Sequence, residues 1–302
     1  MTTTPEMPSW ARNRFKNFDD SPSACAPGAV SSHILERPGL FLASYRLSGA
    51  LHLDEGAFEG ACYQLYRHLA DDLNERSACF PVRLWNFIPS ILEPLGDLEH
   101  RYMVFNAGRF RALRDWLGVD AMPSQVATAS GVGHFGEDLW LHCLASDRPG
   151  QPVENPRQTP AYKYSAKYGP LPPCFARATR WALDDEPPWL LVGGTASVRG
   201  EESCHEQDLR RQLDETLYNL AAVVRAGHGQ TCPSLSPEDV RNALARYREL
   251  RIYIVEPGME AAIGERLRYL LPAETELEFV HADLCRPELL VEIEGIAALD
   301  SQ

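Results

Sequence analysis

The stretch that decides the fold runs from Pro188 to Gly227: PWLLVGGTASVRGEESCHEQDLRRQLDETLYNLAAVVRAG. Its opening run, PWLLVGGTASV, is short, apolar and bounded by turn residues, and reads as a strand. Further on, Leu209, Leu213, Leu217, Leu220 and Val224 recur at helical spacing and form one apolar stripe, which Gly227 stops. Ser203-x-x-Glu206 has the form of a capping box ahead of that helix. Downstream, Ser236-Pro237 starts another helix with proline at its first position. LRIYIVE (250–256) reads as a strand, MEAAIGERLRYLL (259–271) as a helix, and ELEFVHADLC (276–285) and LLVEIEGIA (289–297) as strands. With CFARATRW (174–181) as a strand before them, the order β-β-α-(α)-β-α-β-β predicts a mixed sheet covered on one face by helices.

The upstream half carries the same alternation. FLASYRLSG (41–49) and PVRLWNFIPSI (81–91) read as strands. Between them DEGAFEGACYQLYRHLADDL reads as a helix, with Asp54 as N-cap and Phe58, Cys62, Leu65 and Leu69 on its apolar face. NAGRFRALRDWLG is a shorter helix closed by Gly118. Gly131-x-Gly133-x-x-Gly136 fits the dinucleotide fingerprint in spelling only. That fingerprint must open a helix, and here Leu139, Leu141 and Cys143 alternate with Trp140, His142 and Leu144 as in a strand. The expected organisation is an N-terminal arm (1–34), a first folded unit (35–150), a basic, tyrosine-rich connecting segment (151–173) and a second folded unit (174–302).

The 302 residues carry 29 Lys and Arg against 42 Asp and Glu, a net charge of −13. That balance argues against nucleic acid and anionic membrane surfaces as partners. No apolar run approaches the ~18–20 residues a membrane span needs, and no secretion signal is read at the N-terminus. The eight cysteines, at 25, 62, 79, 143, 174, 204, 232 and 285, form no CxxC motif, and the nine histidines show no ligand spacing. A cytoplasmic protein with reduced thiols and no metal site is the expectation.

One segment runs against the overall charge. Residues 155–183 hold Arg157, Lys163, Lys167, Arg177 and Arg180 with no Asp or Glu, together with Tyr162, Tyr164 and Tyr168. In an acidic protein a small anion requires local cations to overcome the general field. Arginine supplies a planar fork for carboxylates and tyrosine a directional donor.

The second unit resembles the RidA (YjgF/UK114) fold in GGTASV, DETLYNLAAVVRAG, LRIYIVE and LLVEIEGIA. The whole chain resembles the chorismatase family of the FkbO/Hyg5/XanB2 type more specifically. The motifs VRLWNFIPSI, FNAGR, SGVGHFG, ENPRQTPAYKYSAKYGP, FARAT, GGTAS and ADLCRPELLVEIEG carry that resemblance, in order, over about residues 82–296. It implies an α+β fold in which a RidA-like mixed sheet, with helices on one face, is preceded by a degenerate unit of similar plan. It also implies chorismate as the small-molecule substrate, loss of the enolpyruvyl side chain as pyruvate, and no cofactor. Aromatising members, which make 3-hydroxybenzoate, have Cys seven positions before the catalytic Glu, and here these are Cys285 and Glu292. Gly194 stands where hydrolytic members, which make a dihydroxycyclohexadiene carboxylate, tend to carry Ala. Both features favour hydroxybenzoate and leave open whether 4-hydroxybenzoate accompanies it. Other functions of such a fold are a RidA-type enamine/imine deaminase and a non-catalytic binder of small anions. Trimeric and monomeric states are both compatible with the sequence.

Cleaving a vinyl ether requires a proton on its methylene carbon, and a carboxylic acid whose pKa is raised by burial can supply it. Glu292 is the expected acid. Glu294 shares its face of the strand and is expected to face solvent, the alternatives being contact with Glu292 or an arginine partner. Cys285 is expected to steer the ring intermediate rather than attack it. Arg177 is the first candidate for a substrate carboxylate, followed by Arg157 and Arg109. Tyr162 or Tyr164 would donate to the substrate, Gly194 and Thr195 of GGTAS would line the site, and Lys163 and Lys167 are expected in solvent.

Overall fold

The computed structural model describes residues 5–15, 26–97, 100–183, 186–231 and 234–299. Cys25, Cys232 and parts of the expected arm lie outside them. The chain begins with a single helical turn, α1 (Ser9–Arg12). Then come β1 (Val30–Arg37), β2 (Leu40–Leu47), α2 (Glu55–Asn74), β3 (Phe80–Pro89), α3 (Arg101–Leu117), the short α4 (Met122–Gln125), β4 (Thr128–His134) and β5 (Leu139–Ser146). These strands form one sheet in the order β1-β2-β5-β3-β4. Asp54 caps α2, accepting from the Ala57 amide at 2.9 Å.

The second sheet is built from β6 (Gln151–Val153), β7 (Ala178–Trp181), β8 (Trp189–Ala196), β11 (Tyr247–Ile254), β12 (Glu276–His281) and β13 (Val291–Ala298), in the order β12-β11-β13-β8-β7-β6. A two-residue hairpin, β9 (Val198–Arg199) with β10 (Glu202–Ser203), precedes α5 (Leu209–Gly227), α6 (Pro237–Leu244) and α7 (Glu260–Leu270). Setting β7, β8, β11, β12 and β13 against β1 to β5 gives the same strand order in both sheets. Each sheet has one parallel pair, β3 with β4 and β11 with β12, joined through a helix. The expected α+β plan is thus present twice.

Three elements differ from expectation. β1 starts inside the stretch read as a loose arm, because its pairing with β2 rests on backbone hydrogen bonds that its mixed side chains do not announce. Ser203 does not cap α5. It sits in β10, and Asp208 is the cap, accepting from the Arg211 amide at 3.0 Å. The strand read from Cys174 begins only at Ala178. The capping box is at Ser236 and Asp239, on α6.

Apart from the single turn α1, the helices lie outside and the sheets face each other. α2 and α3 pack on the outer face of the first sheet, and α5, α6 and α7 on that of the second. Between the sheets a third core joins Trp85, Phe87 and Trp140 of the first to Trp181, Tyr253 and Ile296 of the second. The first sheet's edge strand β4 leans on β7 and β8: Thr128 Oγ1 lies 2.7 Å from Thr179 Oγ1, and the Ala176 amide donates to the Ala127 carbonyl. Residues 5–15 span the two sheets. Met7, Ala11 and Phe15 enter the shared core, His142 Nε2 meets the Pro5 carbonyl at 2.9 Å, and Ser9 donates to Glu249 on β11.

Candidate active site

The site is assembled where the β4 edge meets β8 and β13. β8 carries a bulge: Ile293 stands opposite Thr195 and Gly295 opposite Val192, so Gly193 and Gly194 share the position facing Glu294. A side chain at either position would force a neighbour to move. A Cβ on Gly193 would meet the Ala129 carbonyl at 2.9 Å, and one on Gly194 would fall 1.9 Å from Glu292 Oε1. The Glu292 carboxyl therefore lies directly over the Gly194 backbone.

A cavity of about 290 Å³ opens in front of that carboxyl. Its wall combines Ser130 and Gly131 of β4, Gly194 and Ala196 of β8, Tyr102 and Arg109 of α3, Tyr164 and Tyr168 of the connecting segment, and Cys285 and Arg286 before β13. The first two glycines of the false dinucleotide motif, Gly131 and Gly133, lie in β4, where Gly131 lets the Tyr102 ring approach the backbone, and Gly136 lies just beyond it.

Three arginines reach this cavity, each largely buried: Arg109, Arg177 and Arg286. Arg177 donates to the Thr159 carbonyl at 2.9 Å and to the Tyr164 hydroxyl at 2.6 Å. Its guanidinium lies 5.2 Å from the Phe175 ring centroid. Arg286 lies 4.0 Å from the Tyr168 ring centroid and donates to the Glu201 carbonyl and Ser203 Oγ. Arg109 donates to Asn106 and lies near the Phe105 and Phe175 rings. Among the described residues none of the three has a carboxylate within ion-pair distance. Arg109 Nε and Arg177 Nε are buried with no hydrogen-bond partner there.

Opposite these cations, burial first and the neighbouring Glu294 second push the pKa of Glu292 up to about 8. Arg83, Arg177 and Arg286 pull the other way and do not overcome burial. At neutral pH the group is a carboxylic acid with a proton to give. Burial, followed by the nearby Glu292, pushes the Cys285 thiol up to about 12, so it stands in the wall as a neutral thiol.

Glu292, Cys285, Arg177, Arg109, Tyr164 and Gly194 of the sequence candidates thus come together. Three others do not. Arg157 pairs with Glu215 at 2.5 Å and lies over Tyr218, turned toward α5. Tyr162 packs against the first sheet's core. Thr195 Oγ1 donates to the Gly193 carbonyl, across the strand from the cavity. Lys167 stands at the rim, exposed and paired with Glu202. Glu294 corrects the expectation of a solvent-facing carboxylate: it is 1% exposed and bonded to Arg83, Trp85 and Ser130. Arg286, Ser130 and Tyr102 were not anticipated, and Tyr168 was read only as part of the basic, tyrosine-rich segment. Arg286 is adjacent to Cys285, but its direction depends on the loop before β13. Among the described residues no three His, Cys, Asp or Glu side chains are grouped as a metal site needs, and no helix is long and apolar enough to cross a membrane.

Two facing sheets thus bring a buried acid and three arginines around one partly open cavity. The family model of the chorismatase FkbO/Hyg5-like N-terminal domain matches residues 43–145. A 3-hydroxybenzoate synthase of Streptomyces hygroscopicus is 32% identical over 80% of this chain and 70% of its own length. A chorismatase of Streptomyces rapamycinicus is 33% identical over 72% of this chain and 64% of its own length. A chorismatase crystal structure superposes with a TM-score of 0.75 at 24% identity, covering 92% of this chain and 80% of the other. The chain belongs to the chorismatase family.

Proposed function

We propose that this protein cleaves chorismate to pyruvate and 3-hydroxybenzoate, alone or with 4-hydroxybenzoate. The observation that carries the reading is the set of three buried arginines with no carboxylate partner among the described residues, converging on a cavity that also holds a carboxyl kept protonated by burial. Buried guanidinium groups are costly unless compensated. Chorismate brings two carboxylates, and docking it supplies the missing partners. On this reading the enzyme acts in the cytoplasm on a free small molecule.

Glu292 donates its proton to the enolpyruvyl methylene; the ring carbon–oxygen bond then breaks with its electron pair going to that oxygen, which releases pyruvate, and the ring loses one proton as it becomes aromatic, which restores the acid form of Glu292. Chorismate has the combined composition of pyruvate and a hydroxybenzoate, so the net reaction consumes neither water nor an oxidant. Docked carboxylates also neutralise Arg177 and Arg286, which removes two influences that would deprotonate Glu292. Cys285, held neutral, shapes the ring side of the cavity and serves as a weak donor rather than a nucleophile.

The test is incubation of the pure protein with chorismate, with pyruvate and ring products quantified together. One pyruvate per chorismate, with 3-hydroxybenzoate as a ring product, is the expected result. A dihydroxycyclohexadiene carboxylate as sole ring product would transfer the protein to the hydrolytic branch. Chorismate left intact would refute the reading.

A further inference from the structure

Behind the cavity wall lies a polar cluster that the cleavage chemistry does not itself use. Glu294 Oε2 accepts from Arg83 Nη2 at 2.7 Å and from Ser130 Oγ, and Oε1 accepts from Trp85 Nε1 at 2.9 Å. All four side chains are buried. Ser130 Oγ in turn accepts from the Gly194 amide at 2.9 Å, and Gly194 is the backbone against which Glu292 rests. A chain of direct contacts thus runs from Arg83 through Glu294, Ser130 and Gly194 to the Glu292 carboxyl.

Packing alone does not call for this cluster. A buried ion pair is frequently matched or bettered in stability by apolar residues of similar volume, and the surrounding core of Trp85, Tyr253 and Ile296 is of that kind. What the pair adds is a fixed negative charge beside the acid, together with a fixed Gly194 wall.

We infer that Glu294 is a positioning residue for the proton donor: anchored by Arg83, Trp85 and Ser130, it fixes the bulge under Glu292 and holds a carboxylate beside the Glu292 carboxyl. The inference rests on the assignment of Glu292 as proton donor. The groups facing Glu292 are Glu294 on its own strand, Arg83 on β3, Arg177 before β7, Cys285 and Arg286 before β13, and Tyr102 on α3. Among the charged neighbours, Glu294 favours the protonated form, and the three arginines oppose it. Removing Glu294 leaves the arginines unopposed, so Glu292 should ionise at lower pH.

The experiment compares wild type with Glu294→Gln by the pH dependence of pyruvate release and by 13C NMR titration of the glutamate carboxyls, with Glu292 assigned from a Glu292→Gln spectrum. Wild type should hold its rate up to about pH 8, the value toward which Glu292 is raised, and lose it above. In Glu294→Gln both the kinetic limb and the NMR titration of Glu292 should move down by roughly one to two pH units. Pyruvate release should then be roughly five- to fiftyfold below wild type at pH 8 and within about twofold of it near pH 6. Arg83→Gln/Glu294→Gln removes both charges and guards against misfolding caused by an orphaned arginine; here the downward shift should be smaller but present. A Glu292 titration that stays in place in a folded variant, with any rate loss uniform across pH, would reduce Glu294 to a structural role and overturn the inference. Because the NMR titration needs no turnover, it remains decisive even if wild type fails to cleave chorismate, a failure that would sink the functional reading instead.

Discussion

At the scale of single residues, the site depends on side chains whose environment reverses their usual behaviour. Glu292 holds a proton at neutral pH because burial and a neighbouring anion outweigh three arginines. Arg177 donates to two neutral groups, the Thr159 carbonyl and the Tyr164 hydroxyl, and has no carboxylate at ion-pair distance among the described residues. A charge-assisted hydrogen bond contributes about 1.5–3 kcal/mol, so Arg177→Ala should weaken chorismate binding roughly 10–150-fold. Equilibrium binding to a cleavage-dead background reads this directly, and unchanged affinity would remove Arg177 from the site. Glu292, Cys285, Arg177 and Gly194 were legible because contiguous motifs carry them. Arg286 and Tyr168 were not, since their meeting at 4.0 Å joins segments more than a hundred positions apart. Glu294 was misread because alternation gives the face of a strand but not what covers that face, and here a second sheet covers it.

At the scale of elements, the bulge in β8 is the device that builds the site. Two glycines opposite one glutamate bend the strand, and the two have different duties. Gly193 presses on the β4 backbone, and its amide donates to the Arg177 carbonyl at 3.0 Å. Gly194 gives way only to the tip of Glu292. Gly193→Ala should therefore destabilise the fold by about 1–3 kcal/mol, the usual cost of overpacking against rigid neighbours. Gly194→Ala should leave stability nearly unchanged while displacing the Glu292 carboxyl and lowering pyruvate release. Urea unfolding midpoints and rates on the same preparations separate the two, and equal stability losses would contradict this division. Helices α2 and α5 were readable from their apolar stripes. β1 and β6 were not, because short or polar edge strands derive their order from a partner's backbone.

At the scale of the molecule, repetition makes the cavity possible. Two sheets of the same strand order face each other, and the seam at the β4 edge draws its lining from both. The segment 5–15 closes another part of the seam, with Met7 and Phe15 in the shared core. Full burial of such side chains contributes about 1.5–3 kcal/mol each, partly offset by the entropy of ordering the segment. Deleting residues 1–15 should lower the unfolding free energy by roughly 2–4 kcal/mol. An unchanged denaturation midpoint would mean that the strap does not hold the sheets together. The repeat was legible as a shared element order; the face-to-face packing was not, because the inter-sheet core mixes Trp85, Trp140 and Trp181 with buried charge and resembles no single amphipathic pattern.

The most direct measurement is the single-turnover rate of pyruvate release by Glu292→Gln, with chorismate affinity measured on the same protein. Glutamine keeps the shape of the side chain and cannot give up a proton at this site. The rate should fall by about 10²–10⁴, as expected for loss of a general acid, with affinity little changed. Near-normal pyruvate release would contradict this and place the proton donor elsewhere in the cavity.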